Sequence, residues 1–522
     1  MKILFSLFFL LFLNASSYAQ DFSIEWGELE RASGQIIYLI PNKKNEFYAL
    51  RWAGGNILGS YQVSKHVGFE IVAKKKIKLV AENSIANFEG ARVINGQFVV
   101  FLSDKRDNQN HLFIQSFDDN LEPNEEPQRI ASFDLDKSRK KGFYDIIQSP
   151  NKKLLGVVWE IPGKKDENDI YGFKIYDKDL NIVNDGEYPL PFHPKLSTIH
   201  SHHISNKGDY FLALTEYEEK ADSKSFKAEY DYKALHIFHI NEDGLDDFIL
   251  DLKEKRVEAM TLSSNAEDIL TITGIYGEKE QQGVLGIFYQ RINLKNGEVV
   301  NEGFQKFDES FVTQDWSERE KKKAAKKEEK GKGVTPQLYN YRMKEITVLS
   351  DGSIIGTMEQ FYIRVQSDTD YRLGTSTQTY YYYYNDIIVF KIDQQGSFSW
   401  VKKVKKSQAS VNDEGSYSSF VSFVANNQIY FIFNDNLSNY TPDGNFIDED
   451  DVYTATYSRK RNTVAIAGVD LTTGEVNRRT FFDREEIGAL AVPRLFSVNY
   501  RTNEMILYSI WGRKEKIGIM RF

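Results

Sequence analysis

One short sequence pattern recurs along most of this 522-residue chain. In it, a hydrophobic stretch ends in Asp or Asn, two or three turn-forming residues follow, and a second stretch begins. The pattern occurs at residues 173–183, 239–247, 291–300, 390–400 and 468–477, with a looser copy at 115–123. Successive Asp or Asn markers are separated by 52 to 100 residues. Repetition of a strand–turn–strand unit restricts the chain to folds made of similar stacked sheets.

A second pattern agrees with the first. Each unit opens with a strand, a tight polar turn and a very apolar strand, as in residues 36–52 and 145–159, which share Pro-Asn-Lys-Lys at the turn. Trp52, Trp159 and Trp511 each end the second strand of their unit. Four strands in about 40 to 50 residues are typical of a β-propeller. The predicted fold class is therefore all-β, an eight-bladed β-propeller.

Counting strands in this way gives eight units. They begin near Ile36, Phe88, Phe143, Thr198, Glu258, Glu345, Tyr417 and Pro493. The eighth unit has only three strands, whereas residues 22–31 form a strand without a unit of its own. We expect this N-terminal strand to complete the last blade, which would close the ring and remove exposed sheet edges. Seven blades remain the alternative if the weakly patterned first unit is irregular.

Four insertions interrupt the units. Residues 217–232, 362–384 and 434–461 lie between the second and third strands of units four, six and seven, and residues 310–342 link unit five to unit six. In an up-and-down blade, these two kinds of connection emerge on the same face. The sequence therefore predicts one elaborated face over blades four to seven, the kind of surface with which repeat proteins bind partners.

The N-terminus predicts export. Residues 1–19 combine Lys2, an apolar run at 3–13 and small residues at 17 and 19, which is typical of a secretory signal peptide. The expected domain organisation is this signal followed by one propeller domain over 20–522, in the periplasm or secreted. Loss of the signal leaves 65 Lys and Arg against 75 Asp and Glu, a net charge of −10, which gives no reason to expect nucleic-acid binding. The chain has no cysteine, so disulfides and Cys-ligated zinc are excluded.

Two segments are candidate partner-binding sites. Residues 317–333 carry a local net charge of +4 and favour a helix, in which Glu318 precedes Lys322 by four residues and Lys326 follows. This segment contacts an anionic partner or is simply a solvated loop. Five consecutive tyrosines at 380–384 offer an aromatic platform, made of Tyr380, Tyr382 and Tyr384 or of Tyr381 and Tyr383, which Tyr362 and Tyr371 would extend. The alternative role of these rings is to brace the hairpin.

Metal sites are weakly indicated. Asp443 and Asp448 lie in an oxygen-rich loop of the kind that can hold calcium, but its spacing does not match a known calcium loop. His200 and His202 share a strand face and form a possible zinc pair, although no third ligand stands at a recognisable spacing. We therefore expect no cofactor, with calcium as the alternative.

The sequence lacks the common catalytic motifs. There is no G-x-S-x-G, no H-E-x-x-H, no phosphate-binding loop and no dinucleotide fingerprint. Paired carboxylates remain possible, because acidic residues are numerous and propellers host glycan-cleaving enzymes.

The segment TYYYYYNDIIVFKIDQQGSFSWVKKVKKSQ, followed by SYSSF and IYFIFNDN, resembles an uncharacterised family of exported propeller-like proteins from Gram-negative bacteria. The resemblance covers residues 345–436. It implies an envelope or secreted location and carries no assigned activity.

Two hypotheses follow. The first is a non-enzymatic recognition or scaffold protein that binds an envelope protein or a polysaccharide through its elaborated face. The second is a glycan-active hydrolase or lyase with carboxylates at the channel mouth, about 5 to 10 Å apart.

Overall fold

The computed structural model of the chain describes residues 22–54, 59–135, 142–163, 167–219, 230–241, 244–250, 252, 255–264, 268–279, 283–314, 319, 322, 326, 337–370, 375–447, 452–457, 461–482 and 487–522. The protein is all-β, as predicted. Short helical segments interrupt the strands at α1 (Glu309–Thr313) and at three 3-10 turns, Pro194–Leu196, Leu437–Asn439 and Pro493–Leu495.

Within the described ranges, the strands form eight antiparallel sheets of four or more strands. Strands β1 (Ser23–Trp26) and β2 (Glu30–Arg31) come first in the chain and belong to the last sheet. Sheet one is β3 (Gln35–Pro41), β4 (Glu46–Gly54), β5 (Gly59–Val67) and β6 (Glu70–Lys76), followed by a small hairpin, β7 (Val80–Ala81) and β8 (Ser84–Ile85). Sheet two is β9 (Asn87–Ile94), β10 (Gln97–Arg106), β11 (Gln109–Ser116) and β12 (Gln128–Asp134). Sheet three is β13 (Phe143–Gln148), β14 (Leu155–Ile161), β15 (Ile170–Tyr176) and β16 (Ile182–Pro189).

The remaining sheets follow the same order. Sheet four is β17 (Ser197–Ile204), β18 (Tyr210–Glu219), β19 (Tyr230–Asn241) and β20 (Gly244–Leu250), and sheet five is β21 (Lys255–Ser264), β22 (Ile269–Glu278), β23 (Gly286–Asn293) and β24 (Val299–Lys306). Sheet six is β25 (Tyr341–Val348), β26 (Ile354–Asp370), β27 (Thr375–Ile392) and β28 (Phe398–Val404), with β29 (Gln408–Val411) added to β27. Sheet seven is β30 (Phe420–Ala425), β31 (Gln428–Asn436), β32 (Asn462–Asp470) and β33 (Val476–Phe482). Sheet eight contains β34 (Leu490–Ala491), β35 (Ser497–Asn499), β36 (Glu504–Trp511) and β37 (Lys514–Arg521), together with β1 and β2.

The recurring Asp or Asn has a structural role. It stands at the turn between the third and fourth strands, where its side-chain oxygen accepts hydrogen bonds from backbone N–H groups of the turn. Asp177 accepts from the N–H groups of Asp179 and Asn181, both at 2.9 Å, and Asp470 accepts from Thr472 and Thr473. These Asx turns fold the chain back locally, and the hydrogen bonds from Asn181 and Asp179 lower the pKa of the Asp177 carboxyl.

Hydrophobic side chains fill the space between neighbouring sheets. Tyr48 and Leu50 of sheet one pack with Phe98 and Leu102 of sheet two, and comparable clusters join each sheet to the next up to sheet eight. The last of these clusters also contains residues of sheet one. Because interior strands such as β14 and β31 are covered on both faces, they are apolar at successive positions instead of alternating.

The two ends of the described chain meet in sheet eight. β1 pairs antiparallel with β37, with Ser23 opposite Arg521 and Trp26 opposite Gly518. The N-terminal strand thus takes the outer position that the eighth unit lacks. Next to this pairing, the buried Arg51 of sheet one forms an ion pair of 2.6 Å with Glu515, which also accepts from the Tyr508 hydroxyl at 3.0 Å. Sheets one and eight are therefore joined by charge as well as by packing.

The predicted signal peptide at 1–19 lies outside the described residues. Over the ranges given above, no helix has both the length and the hydrophobicity that crossing a membrane requires.

Candidate functional site

A long β-hairpin is the largest departure from the four-stranded pattern. β26 and β27 pair along almost their whole length, whereas β25 and β28 cover only residues 354–360 and 387–392. Residues 361–370 and 375–386 therefore extend beyond their sheet as a ribbon. β29 adds a third strand to part of it, pairing with residues 381–384. The insertion predicted at 362–384 is thus a continuation of two strands.

The register of the ribbon separates the candidate tyrosines. A β-bulge between Glu359 and Phe361 shifts the pairing, so that Tyr362 stands opposite Tyr383. Their rings are stacked, with centroids 4.6 Å apart and an interplanar angle of 15°. Because successive strand residues point to opposite faces, Tyr362 lies on the face away from Tyr384 and its alternate neighbours. Tyr371 lies outside the described residues.

One face of the ribbon is apolar and exposed. Tyr380, Tyr382 and Tyr384 share it with their cross-strand partners Val365, Ile363 and Phe361. Ile363 is 46%, Val365 49% and Tyr380 38% exposed, so this part of the ribbon presents hydrophobic side chains to solvent. Exposed apolar patches of this kind are typical of protein or ligand contact surfaces.

A buried ionic network holds the base of the ribbon. Lys406 donates to the Glu359 carboxylate at 2.9 Å, to the Tyr384 carbonyl at 2.9 Å and to the Gln408 side chain at 3.2 Å. Glu359 also accepts from the Ser419 hydroxyl at 2.7 Å. We call Lys406, Glu359, Gln408 and Ser419 the hairpin-base cluster. Burial lowers the pKa of Lys406, and the adjacent Glu359 carboxylate opposes that shift. All its polar groups are paired, so the cluster fixes the ribbon to sheets six and seven.

A second buried cluster holds the insertion at 434–461. Arg478 forms an ion pair with Asp435, donates to the Tyr440 hydroxyl at 2.8 Å and stacks over Phe446, 3.9 Å from the ring centroid. Both charged side chains are almost completely buried. Asp443, a candidate calcium ligand, is exposed at the outer turn of this insertion, and Asp448 lies outside the described residues.

A large cavity lies beside the base of the ribbon. Its volume is about 830 Å³, and we call it the sheet-eight cavity. Three parts of the fold form its walls: the start of β3 and the end of β4, the links that precede β30 and β35, and the turn between β36 and β37. The lining side chains that carry polar or aromatic groups are Gln35, Trp52, Glu414, Ser416, Tyr417, Arg494, Tyr508 and Arg513.

The cavity and the ribbon are in contact. The Tyr384 ring packs against Gly415, which has a positive φ of 65° and no room for a Cβ beneath that ring. Arg494 contacts the carbonyl oxygens of Glu414 and Gly415, both at 3.3 Å. Burial raises the pKa of Tyr384, and the nearby positive charge of Arg494 opposes the shift.

The cavity has more positive than negative charge. Arg494, Arg513 and Glu414 are all exposed, and Glu414 is the one carboxylate among the described lining residues. Arg513 forms no ion pair with any part of the chain that the structure describes. Aromatic surface is supplied by Trp52, which packs edge-on against Tyr61 with ring centroids 4.8 Å apart, and by Tyr417. These groups can bind a ring-containing anion. A pair of carboxylates, as glycoside hydrolysis requires, is not formed by the described lining.

The structure gives the candidate zinc ligands other partners. His200 hydrogen-bonds to the Thr215 hydroxyl and His202 to the Tyr210 hydroxyl, both at 2.7 Å. A β-bulge between Ile199 and Ser201 interrupts the regular alternation along β17. Among the described residues, no group of three or more His, Asp or Glu side chains is placed to hold a metal ion.

Lys322 and Lys326 are exposed and helical, while most of the basic segment around them lies outside the described residues. Neither of them is among the described lining residues of the sheet-eight cavity.

Sequence analysis missed the sheet-eight cavity. Trp52 was visible only as a strand-ending Trp, and Glu414, Arg494 and Arg513 carry no motif. The available signal was the predicted neighbourhood of the first and last units, which places the beginning of one beside the turns of the other.

No protein-family model matches the chain, and no curated protein matches it. Among solved structures, Sqt1 of Chaetomium thermophilum aligns with a TM-score of 0.38 and 9% identity over 95% of this chain and 98% of that one. An oligogalacturonate lyase in complex with manganese aligns with a TM-score of 0.34 and 9% identity over 94% of this chain and 98% of that one. Prolyl oligopeptidase B of Galerina marginata aligns with a TM-score of 0.34 and 10% identity over 93% of this chain and 54% of that one.

Proposed function

We propose that the eight sheets are the blades of one closed β-propeller spanning 20–522. Support comes from the hydrophobic clusters between consecutive sheets, from the cluster that sheets seven, eight and one share, and from the pairing of β1 with β37. Closure also accounts for the buried ion pair between Arg51 and Glu515, which are 464 residues apart.

We infer that this propeller is an exported, non-enzymatic recognition protein that binds an envelope protein or polysaccharide. The observation that carries the proposal is the projecting ribbon of sheet six, which exposes Ile363, Val365 and Tyr380 above a buried, fully paired base. A rigid base allows a surface to bind without first becoming ordered, which lowers the entropic cost of association. The other proposed contact residues are Tyr362, Tyr371, Tyr382, Tyr384, Lys322 and Lys326. Export to the periplasm or beyond rests on the predicted signal at 1–19.

The enzyme hypothesis is the weaker one. The sheet-eight cavity has one carboxylate among its described lining residues, whereas a hydrolase of glycans uses two at a defined separation. The other polar groups that line this cavity are suited to binding a ligand.

The experiment removes the outer ribbon and keeps its base. Tyr362 and Tyr383 are directly opposite each other, so residues 363–382 can be replaced by Asn-Gly, which forms a two-residue turn without a change of register and removes Ile363, Val365 and Tyr380. A second variant replaces Ile363, Val365 and Tyr380 by Ser. Each protein, with an affinity tag, is incubated with envelope extract and with an array of bacterial polysaccharides.

Both variants should lose the partner that the unaltered protein captures. Tyr500→Ser is the matched control, because Tyr500 is 50% exposed and lies in a short turn of sheet eight at the opposite ends of the strands. Capture that is equal for all four proteins would contradict recognition through the ribbon.

A further inference from the structure

We propose that the sheet-eight cavity binds a uronic-acid-containing oligosaccharide, with Arg494 and Arg513 on the carboxylates and Trp52 against a sugar ring. This deepens the recognition function proposed above and rests on it, because the cavity adjoins the base of the ribbon through Tyr384 and Gly415.

The positive charge is the first reason. Arg494 and Arg513 stand on two separate connections of sheet eight, the 3-10 turn Pro493–Leu495 and the turn between β36 and β37. Of the three buried arginines in the described structure, Arg51 and Arg478 have carboxylate partners inside the protein. The third, Arg291, donates to the backbone carbonyls of Gln394 and Gly352. In the described structure Arg494 contacts only carbonyl oxygens, through one of its terminal nitrogens. The planar guanidinium group suits carboxylates.

The aromatic and hydroxyl groups are the second reason. The half-buried Trp52 is fixed in place: its indole packs over Gly59, where a Cβ would overlap it, and against Tyr61. Gln35 and Ser416 add side-chain donors and acceptors to the same walls. Flat apolar surface together with amide, hydroxyl and guanidinium groups matches a charged sugar, which has ring faces, hydroxyls and a carboxylate.

The shape of the site favours a glycan over a peptide. Strand ends and connecting turns form most of the walls, and the only outer strand among them is the start of β3, so an extended peptide finds few backbone groups of the described lining to pair with. A volume of about 830 Å³ lies within the range of ligand pockets and accommodates a short oligosaccharide.

The test measures binding by calorimetry to tetraglucuronate, to neutral cellotetraose and to an acetylated tetraglutamate peptide. Tetraglucuronate should bind and cellotetraose should not, and added salt should weaken binding. Arg494→Gln and Arg513→Gln should each weaken binding about tenfold or more, because each removes a charged hydrogen-bond donor. The control is Arg129→Gln, which removes one positive charge from a partly exposed side chain of sheet two. This variant should bind tetraglucuronate like the unaltered protein.

A second readout locates the sugar. The indole N–H resonance of Trp52, assigned with Trp52→Phe, should shift on addition of tetraglucuronate and should not shift in the Arg494→Gln, Arg513→Gln protein. No binding, equal binding of the neutral sugar, or unchanged affinity in the arginine variants would overturn the proposal. Preferential binding of the peptide through the same arginines would replace the glycan by a protein partner. If tetraglucuronate does not bind but capture of the partner still depends on the ribbon, only the inference about the cavity is wrong. If tetraglucuronate binds but capture of the partner does not depend on the ribbon, the ribbon has no part in the proposed function.

Discussion

The hairpin-base cluster and the sheet-eight cavity lie side by side but use charge differently. At the base, Lys406 and Glu359 are 0% and 1% exposed and satisfy each other together with neighbouring polar groups. In the cavity, Arg494 and Arg513 are exposed, and neither has an acidic partner in the described structure. Buried charges without partners are very unfavourable, so at the base each charge depends on the presence of the other. The second gives little stability and leaves the cations available to a ligand.

The largest effect should come from breaking a buried pair. Asp435→Ala leaves Arg478 as a buried cation whose remaining partners are neutral. We expect the free energy of unfolding to fall by about 3 to 5 kcal/mol, which denaturant titration would measure. A change below about 1 kcal/mol would mean that the Arg478 cluster is open to water, and the contrast with the cavity would fail.

A smaller loss is expected at the hairpin-base cluster. Lys406→Met removes one partner of Glu359, which keeps Ser419 and, at 3.3 Å, the half-exposed Lys344. The loss should be about 2 to 3 kcal/mol. In the double variant Lys406→Met, Glu359→Leu no charge is left unpaired, so much of this loss should be recovered, since apolar replacement of a buried pair is often neutral. A double variant that is less stable than Lys406→Met would show that the pair itself is strongly stabilising.

Buried histidines are a third case, because burial favours their neutral form in the folded protein. Burial lowers the pKa of His203 to about 4, from 6.5 in the unfolded chain. Below pH 6.5 the unfolded state binds a proton that the folded state does not, so stability falls as the pH drops towards 4. His203→Gln should reduce this slope by about 1.4 kcal/mol per pH unit. Denaturant titrations between pH 6 and 4.5 would measure it.

His236→Gln is the contrasting variant for that experiment. The carboxylates of Asp247 and Glu216 overcome the effect of burial and raise the pKa of His236. The stability that protonated His236 contributes is fully present below pH 6.5, the pKa in the unfolded chain. It is lost only as the pH rises through the higher pKa of the folded state. The slope between pH 6 and 4.5 should therefore stay unchanged in His236→Gln. An equal change of slope in both variants would contradict this assignment.

The smallest effect on stability should come from the cavity. Arg494→Gln and Arg513→Gln, singly or together, should change the free energy of unfolding by no more than about 0.5 kcal/mol, as exposed substitutions usually do. A loss comparable to that of Lys406→Met would show that these arginines hold the fold together, and the distinction between the two regions would disappear.

Local chemistry made the strands and turns predictable. An Asp or Asn that accepts turn N–H groups leaves a mark in the sequence, and so does an apolar strand covered on both faces. The partner strand of the N-terminal segment also followed, because the last unit visibly lacks one strand. Each of these features depends on residues that are close in sequence or on a simple count.

The candidate site was less predictable for two physical reasons. A bulge is one extra residue, and it reverses which side chains share a face. Without the bulge after Glu359, the register of the inner hairpin would place Tyr362 opposite Tyr384 and on the proposed platform. The cavity, in turn, requires Trp52, Glu414 and Arg494 to converge from three distant parts of the chain, and Glu414 and Arg494 have no distinctive neighbourhood in sequence.

The pairing of β1 with β37 also has a consequence for how this protein is made. Ser23 pairs with Arg521, so β1, the outermost strand of sheet eight, has no partner while nearly all the remaining chain is synthesised. Until it pairs with β37, the unpaired β1 is a template for unwanted pairing with other molecules. Such long-range contacts also slow folding. The chain therefore needs protection from such unwanted pairing until its fold is complete. We expect this pairing to be most frequent in the interval just before β1 and β37 meet.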